Sequence, residues 1–274
     1  MITPQGQSSS GLKSPEGWMT GRWLSRGRRS PGIPPVVGPG VFPAAAAPTL
    51  QWASLETTLS RHGPFPAFSA ILGTGIDGTP LLLDFTDPTP GALLISGQAS
   101  SGRRLLRAIL ASAILINRPQ QVEVRIIASE ARRYDDFFRA DHVRQILSSD
   151  DPAVSEAVVS RLPAMWLHAH SSRYAPATLL LVDDLAALAD NLDKQAFASL
   201  CWLARHGSRL RTWIIATLPS GQEDQVDELL LEAFRTHLVE NNTPEALSAP
   251  TGAPAQFYLA LEEQALPFWI CEPE

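Results

Sequence analysis

Apolar residues in this chain gather into short, nearly unbroken runs separated by longer stretches with a helical period. Residues 92–96, 122–128, 178–182 and 212–217 are such runs, rich in Val, Ile and Leu. Runs of this length predict strands buried on both faces. Between them, residues 104–117 and 185–206 repeat apolar positions every three or four residues, as amphipathic helices do. One or two further helices are expected between Glu130 and His170. Ahead of these lie a short predicted helix at 52–61 and two predicted strands at 67–72 and 80–85. The turn joining those strands is Gly73-Thr74-Gly75-Ile76-Asp77-Gly78. After Pro219 a helix near 224–234 leads to shorter strands at 237–240, 256–260 and 267–271. Strands alternating with helices predict an α/β fold, a mostly parallel sheet flanked by helices, with a small lead-in β-hairpin.

Composition divides the chain in two. Residues 1–47 are rich in Ser, Gly and Pro and end in a run of four alanines, a composition that cannot offset its ordering entropy; a disordered tail is expected there. Residues 48–274 are expected to form the α/β domain. The tail carries Lys13, Arg22, Arg26, Arg28 and Arg29 against Glu16, a net of +4, so the overall −6 leaves −10 for the remainder. That balance argues against a broadly basic nucleic-acid surface on the domain, while the tail's arginines keep DNA or a membrane surface open as its contact. No apolar run is long enough to cross a bilayer; the longest, 105–116, is interrupted by Arg107 and Ser112. With no signal-peptide pattern either, the expected location is the cytosol or the edge of a membrane complex. Cys201 and Cys271 sit in apolar contexts and are expected to be buried, reduced thiols.

The candidate chemistry begins at the first core strand. Ser96-Gly97-Gln98-Ala99-Ser100-Ser101-Gly102-Arg103-Arg104 has the glycine spacing of a phosphate-binding loop, G-x-x-x-x-G-K-[ST]. Such a loop points successive backbone N–H groups and a helix N-terminus at one anion, its lysine reaches the β- and γ-phosphates, and its hydroxyl completes a Mg²⁺ shell. Here Arg103 stands in place of the lysine and Arg104 in place of the hydroxyl. A guanidinium is bulkier than an ammonium, and a cation cannot ligate Mg²⁺.

Two further stretches fit a nucleotide site. Thr178-Leu179-Leu180-Leu181-Val182-Asp183-Asp184 is an apolar strand ending in two acids, the form of a Walker B strand. Asp183 would orient the Mg²⁺ shell and Asp184 would act on the attacking water, or cap the helix from Leu185. Trp213-Ile214-Ile215-Ala216-Thr217-Leu218-Pro219 ends in Thr217, where a polar side chain would contact a γ-phosphate.

In this order the motifs resemble the FtsK/SpoIIIE/HerA branch of P-loop ATPases, from about Ala67 to the C-terminus. The resemblance rests on residues 72–84, on Leu94-Ile95-Ser96-Gly97, on residues 180–188, and on Leu203-Ala204-Arg205-His206-Gly207 ahead of Ile214-Ile215-Ala216-Thr217. It implies a RecA-like core, ATP and Mg²⁺ as cofactors, and service in a machine moving DNA or, in type VII secretion relatives, protein. By the same resemblance Gly97 to Arg104 and Thr217 would bind nucleotide, Asp183 would hold Mg²⁺, and Asp183 and Asp184 would be catalytic. The departures are Arg103, Arg104, Asp184 in place of a glutamate, and Leu218 at the sensor glutamine. The stretch ends just after the core, so the winged-helix and membrane segments of chromosome pumps are not expected.

The expected function is therefore that of a non-hydrolysing scaffold or regulatory subunit, partnered by copies of itself or by an active ATPase paralogue. The alternative is an ATP-binding, weakly active DNA translocase. His142, His168 and His170 lack ligand spacing for a metal. Arg205, Arg209 and Arg211 are candidates for an arginine finger, or for solvated residues at a helix end.

Overall fold

A computed structural model describes residues 54–151, 159–160, 175–242, 255–260 and 265–273. The expected tail at 1–47, with Arg22 and the 26–29 cluster, lies outside the described residues, as do His168 and His170.

The elements in chain order are α1 (Leu55–His62), β1 (Ser69–Gly75), β2 (Pro80–Asp84), β3 (Ala92–Gly97), α2 (Ala99–Ile116), β4 (Val122–Ala128), a 3-10 turn (Ala131–Phe137) and β5 (Val143–Ser148). Then follow β6 (Ala177–Asp183), α3 (Leu185–Asp190), α4 (Lys194–His206), β7 (Thr212–Pro219), α5 (Glu228–Leu231), β8 (Phe234–Glu240), β9 (Gln256–Ala260) and β10 (Ala265–Trp269). The ten strands form one sheet in the order β2-β1-β10-β9-β8-β3-β7-β6-β4-β5. From β8 to β5 every pairing is parallel, and from β8 through β9, β10 and β1 to β2 every pairing is antiparallel. The α/β architecture expected from the alternation is thus the one observed.

Period-two alternation explains how the sheet is covered. Leu93 and Ile95 of β3 join Leu179 and Leu181 of β6 and Ile215 of β7 beneath Leu105, Leu106 and Ile109 of α2. Leu94, Leu180, Val182, Ile214 and Ala216 point the other way, under Leu185, Leu188, Leu200 and Leu203 of α3 and α4. Both faces of β3, β6 and β7 are therefore dry, which is why their sequences read as continuous apolar runs.

Three expectations need correction. Of the span where one or two helices were expected, residues 130–151 instead hold a 3-10 turn and the half-buried edge strand β5, residues 159–160 are helical, and the rest of 152–170 lies outside the described residues. Residues 185–206 form two helices: Asp193 accepts from Ala196 N–H at 2.7 Å and starts a second one. The helix expected near 224–234 contracts to a 3-10 turn and the short α5. Cys271 is buried as expected, whereas Cys201 is only half-buried.

At the lead-in hairpin, Asp77 accepts Thr79 N–H at 2.9 Å and Gly78 adopts φ 76°, so turn chemistry sets the β1–β2 register.

Candidate nucleotide site

Strand β3 ends at Gly97, Gln98 is extended, and α2 begins at Ala99. Ala99, Ser100, Ser101, Gly102, Arg103 and Arg104 therefore all lie in the helix. Gly102 N–H donates to Gln98 O at 2.9 Å, an ordinary helical bond. The glycine spacing predicts an open loop with its helix starting at Arg104; the helix instead runs back ahead of Gly102. A Cβ on Gly102 would meet Ile95 Cγ2 and Thr217 Cγ2 at 3.6 Å, ordinary contact, so this glycine serves close packing rather than a special backbone conformation.

Strand order brings the remaining candidates together. β7 lies between β3 and β6, which sets Thr217 beside Asp183. Asp183 is nearly inaccessible, and both its carboxylate oxygens are engaged. Oδ1 accepts from Thr217 Oγ1–H at 3.0 Å. Oδ2 accepts from Arg103 Nε–H at 2.6 Å and from Tyr134 Oη–H at 3.0 Å. The side chain of Arg103 is 17% exposed and that of Asp183 is 3% exposed, so the ion pair is largely out of water. Burial works against the Arg103 charge, but the hydrogen bond and charge of Asp183 outweigh it and hold its pKa above the usual value. Burial, reinforced by the Asp183 charge and hydrogen bond, pushes the Tyr134 phenol far above its ordinary range, so Tyr134 is a fixed donor.

Arg104 does not share this site. One residue further round the helix, it points to Glu272 in the C-terminal segment and pairs with its carboxylate. What fills the helix N-terminus is Glu240, from the end of β8. Its Oε2 accepts Gln98 N–H at 2.5 Å, and the carboxylate is buried. A Cβ on Gly97 would fall 2.5 Å from Glu240 Cβ and 2.6 Å from Oε2, so only glycine fits there. The first turn of α2 contains no acid and Gln98 makes no side-chain cap, so Glu240 supplies the negative charge the helix dipole favours.

These placements can be tested against Mg²⁺-ATP. The acid that would orient Mg²⁺ has a guanidinium on it, the Gln98 amide has a carboxylate on it, and the backbone from Ala99 onward is helix. The residues as arranged do not fit a nucleotide held as a P-loop holds it. Asp184 accepts Ala187 N–H at 2.6 Å and caps α3. Leu218 is core. Among the described residues no group of three or more His, Cys, Asp or Glu comes together for a metal. His142 is buried against Asn117 O.

The arginine-finger candidates are dispersed. Arg205 donates to Leu229 O at 3.2 Å, and the Arg211 guanidinium lies 4.8 Å from the Phe68 ring centre. Tyr134 and Glu240 escaped sequence reasoning. Tyr134 lies in a stretch expected to be helix, and Glu240 belongs to a strand with no local motif; only strand order brings them to the site.

No family model matches the sequence, and comparison with curated proteins finds no relative. Solved structures are similar in fold. The cytoplasmic domain of EssC superposes with a TM-score of 0.62 at 18% identity, over 83% of this chain and 48% of that one. Thermomonospora curvata EccC (ATPases 2 and 3), in complex with a signal sequence peptide, gives 0.57 at 17% identity, over 83% and 43%. The monomer form of the pCW3 conjugation coupling protein TcpA with ATPγS gives 0.51 at 14% identity, over 76% and 68%. The chain spans about half the length of the first two. The fold is shared with these EssC, EccC and TcpA structures, an α/β fold of the kind that the resemblance implied. Among the described residues no helix is long and apolar enough to cross a membrane.

Proposed function

We propose that this chain is a non-hydrolysing member of the FtsK-like ATPase fold, serving as a scaffold or regulatory subunit in a secretion or DNA-translocation machine. The observation that carries this reading is the Arg103–Asp183 ion pair. A metal-orienting carboxylate must be free to bind water on Mg²⁺; here it is committed to a neighbouring cation, a phenol and a hydroxyl. Glu240 on Gln98 N–H supports it, because an internal carboxylate holds ground that a phosphate would need.

The choice of machine follows from the neighbours. EccC is described as a type VII secretion ATPase and TcpA as a conjugation coupling protein. A chain that keeps such a fold without its chemistry retains surfaces for its own copies or for an active paralogue. Protein partners are accordingly the first expectation, and DNA the second.

The test combines turnover with thermal stability. Purified protein should hydrolyse no ATP above background, and adding Mg²⁺ should not increase the shift in melting temperature that ATP alone produces. Arg103→Lys with Arg104→Thr should stay silent, since neither change moves Glu240 or unwinds the start of α2. Steady turnover by the unaltered protein, abolished in Asp183→Asn, would overturn the proposal in favour of a weakly active translocase.

A further inference from the structure

A second feature of α2 adjoins the Asp183 cluster and shares Arg103 with it. Ser100, Arg103, Arg104 and Arg107 recur at i, i+3, i+4 and i+7, which places them on one helical face. The 3-10 turn after β4 faces them with Arg132, Arg133 and Asp136. Together these residues line a cleft of about 470 Å³ with five guanidinium groups and one carboxylate. In a chain of net charge −6 this is a local concentration, not a generally basic surface.

We propose that this cleft binds a phosphate-bearing anion, a polyphosphate chain free or carried on a nucleotide, through its guanidinium forks and without Mg²⁺. Arg107 is already positioned: its guanidinium stands 4.9 Å from the Phe137 ring centre and 5.8 Å from that of Tyr134. It donates to Arg133 O and, at 2.7 Å, to Asp136. An ordered guanidinium loses little further freedom on binding. Arg132 makes no ion pair among the described residues.

Arg103 is also held by Asp183 and Arg104 by Glu272, whose side chain is 38% exposed; apart from the buried Asp183 pair, the ion pairs here are shallow. Arg133 meets Glu130 at 2.7 Å and Arg103 lies 3.7 Å from the same carboxylate, whose side chain is 53% exposed; Asp136 is 73% exposed. Exposed pairs of this kind are weak, and a polyphosphate offers more charge and more acceptors per contact than either acid. The planar fork of arginine matches phosphate oxygens bidentately. The volume fits a chain of a few phosphates or a nucleotide. The buried Arg103–Asp183 bond stays intact behind the cleft, so binding here requires neither the metal-orienting acid nor the Gln98 amide.

Isothermal titration of the full chain with sodium tripolyphosphate in EDTA tests the site, with ATP in EDTA as a parallel arm. Saturable binding of tripolyphosphate is expected, and ATP in the same affinity range would mean that the phosphates alone are read. Arg132→Glu with Arg133→Glu should weaken binding by at least about tenfold, because both exposed cations become repulsive. Arg132→Gln, which cannot perturb folding through charge reversal, should weaken it less but measurably, and Asp136→Asn should tighten it. Excess Mg²⁺ should weaken binding by neutralising the ligand. Absence of heat at millimolar tripolyphosphate overturns the assignment. So does affinity unchanged in both arginine variants, dependence on Mg²⁺, or duplex DNA displacing tripolyphosphate at far lower concentration. None of these readouts is turnover, so the result stands apart from the test of hydrolysis.

Discussion

Arg103 joins the two halves of the site: from the place where a phosphate loop carries lysine, it donates Nε–H across 2.6 Å to Asp183, where a Walker B strand presents its acid. Removing one member of a buried pair leaves the other charged and unsolvated. Asp183→Ala should therefore cost about 3–5 kcal/mol, read as a shift in urea unfolding. Replacing both, with Arg103→Met and Asp183→Leu, should recover most of that loss. A double variant as unstable as Asp183→Ala would mean that Thr217 and Tyr134, rather than the ion pair, set the energy.

The two glycines of the frame should behave differently. Gly102 lies inside α2 with ordinary contact space for a methyl, so Gly102→Ala should be neutral or stabilising by up to about 1 kcal/mol. At Gly97 the same methyl would collide with Glu240, and Gly97→Ala should lower the melting temperature clearly. Equal tolerance at both positions would contradict the packing described.

Much of this was legible in the sequence, for a physical reason. Strands buried on both faces cannot alternate, so 92–96, 178–182 and 212–217 announced themselves as apolar runs within a residue or two of their ends. Asp183 and Thr217 followed, being the residues where those runs stop. The helix start was not legible. Gly97 and Gly102 have the right separation for a loop, yet Ala99, Ser100, Ser101 and Arg103 are all acceptable in a helix, and the carboxylate that meets the helix start belongs to Glu240, 142 residues from Gln98. The sequence puts Arg103 in place of the loop's lysine, and in the fold its guanidinium bonds Asp183. Arg104, in place of the loop's hydroxyl, points instead to Glu272, since adjacent residues on a helix face different directions.

Glu240 also makes a prediction about anions. Glu240→Gln keeps the shape of the side chain and removes the charge, so the α2 N-terminus loses its complement at a cost of about 1–2 kcal/mol. The same change should allow sulfate or phosphate to stabilise the variant in a thermal melt more than it stabilises the unaltered protein. An identical anion response in both would show that the carboxylate does not hold the place of a ligand.

A pH dependence follows from His237, in the middle of β8. Its Nε2 lies 3.1 Å from Phe234 O, and burial lowers its pKa from the model-peptide value of 6.5, so the folded protein holds it neutral more firmly than the unfolded chain does. Above pH 6.5 both states are neutral there and the group is indifferent. As pH falls through 6.5 the unfolded chain takes up the proton first, and stability declines until the folded form is protonated as well. The slope from this one group cannot exceed about 1.4 kcal/mol per pH unit. Urea midpoints measured from pH 8 to pH 5 should show a fall setting in near 6.5 that is reduced in His237→Gln. A variant with the same profile as the parent would assign the acid sensitivity to another group.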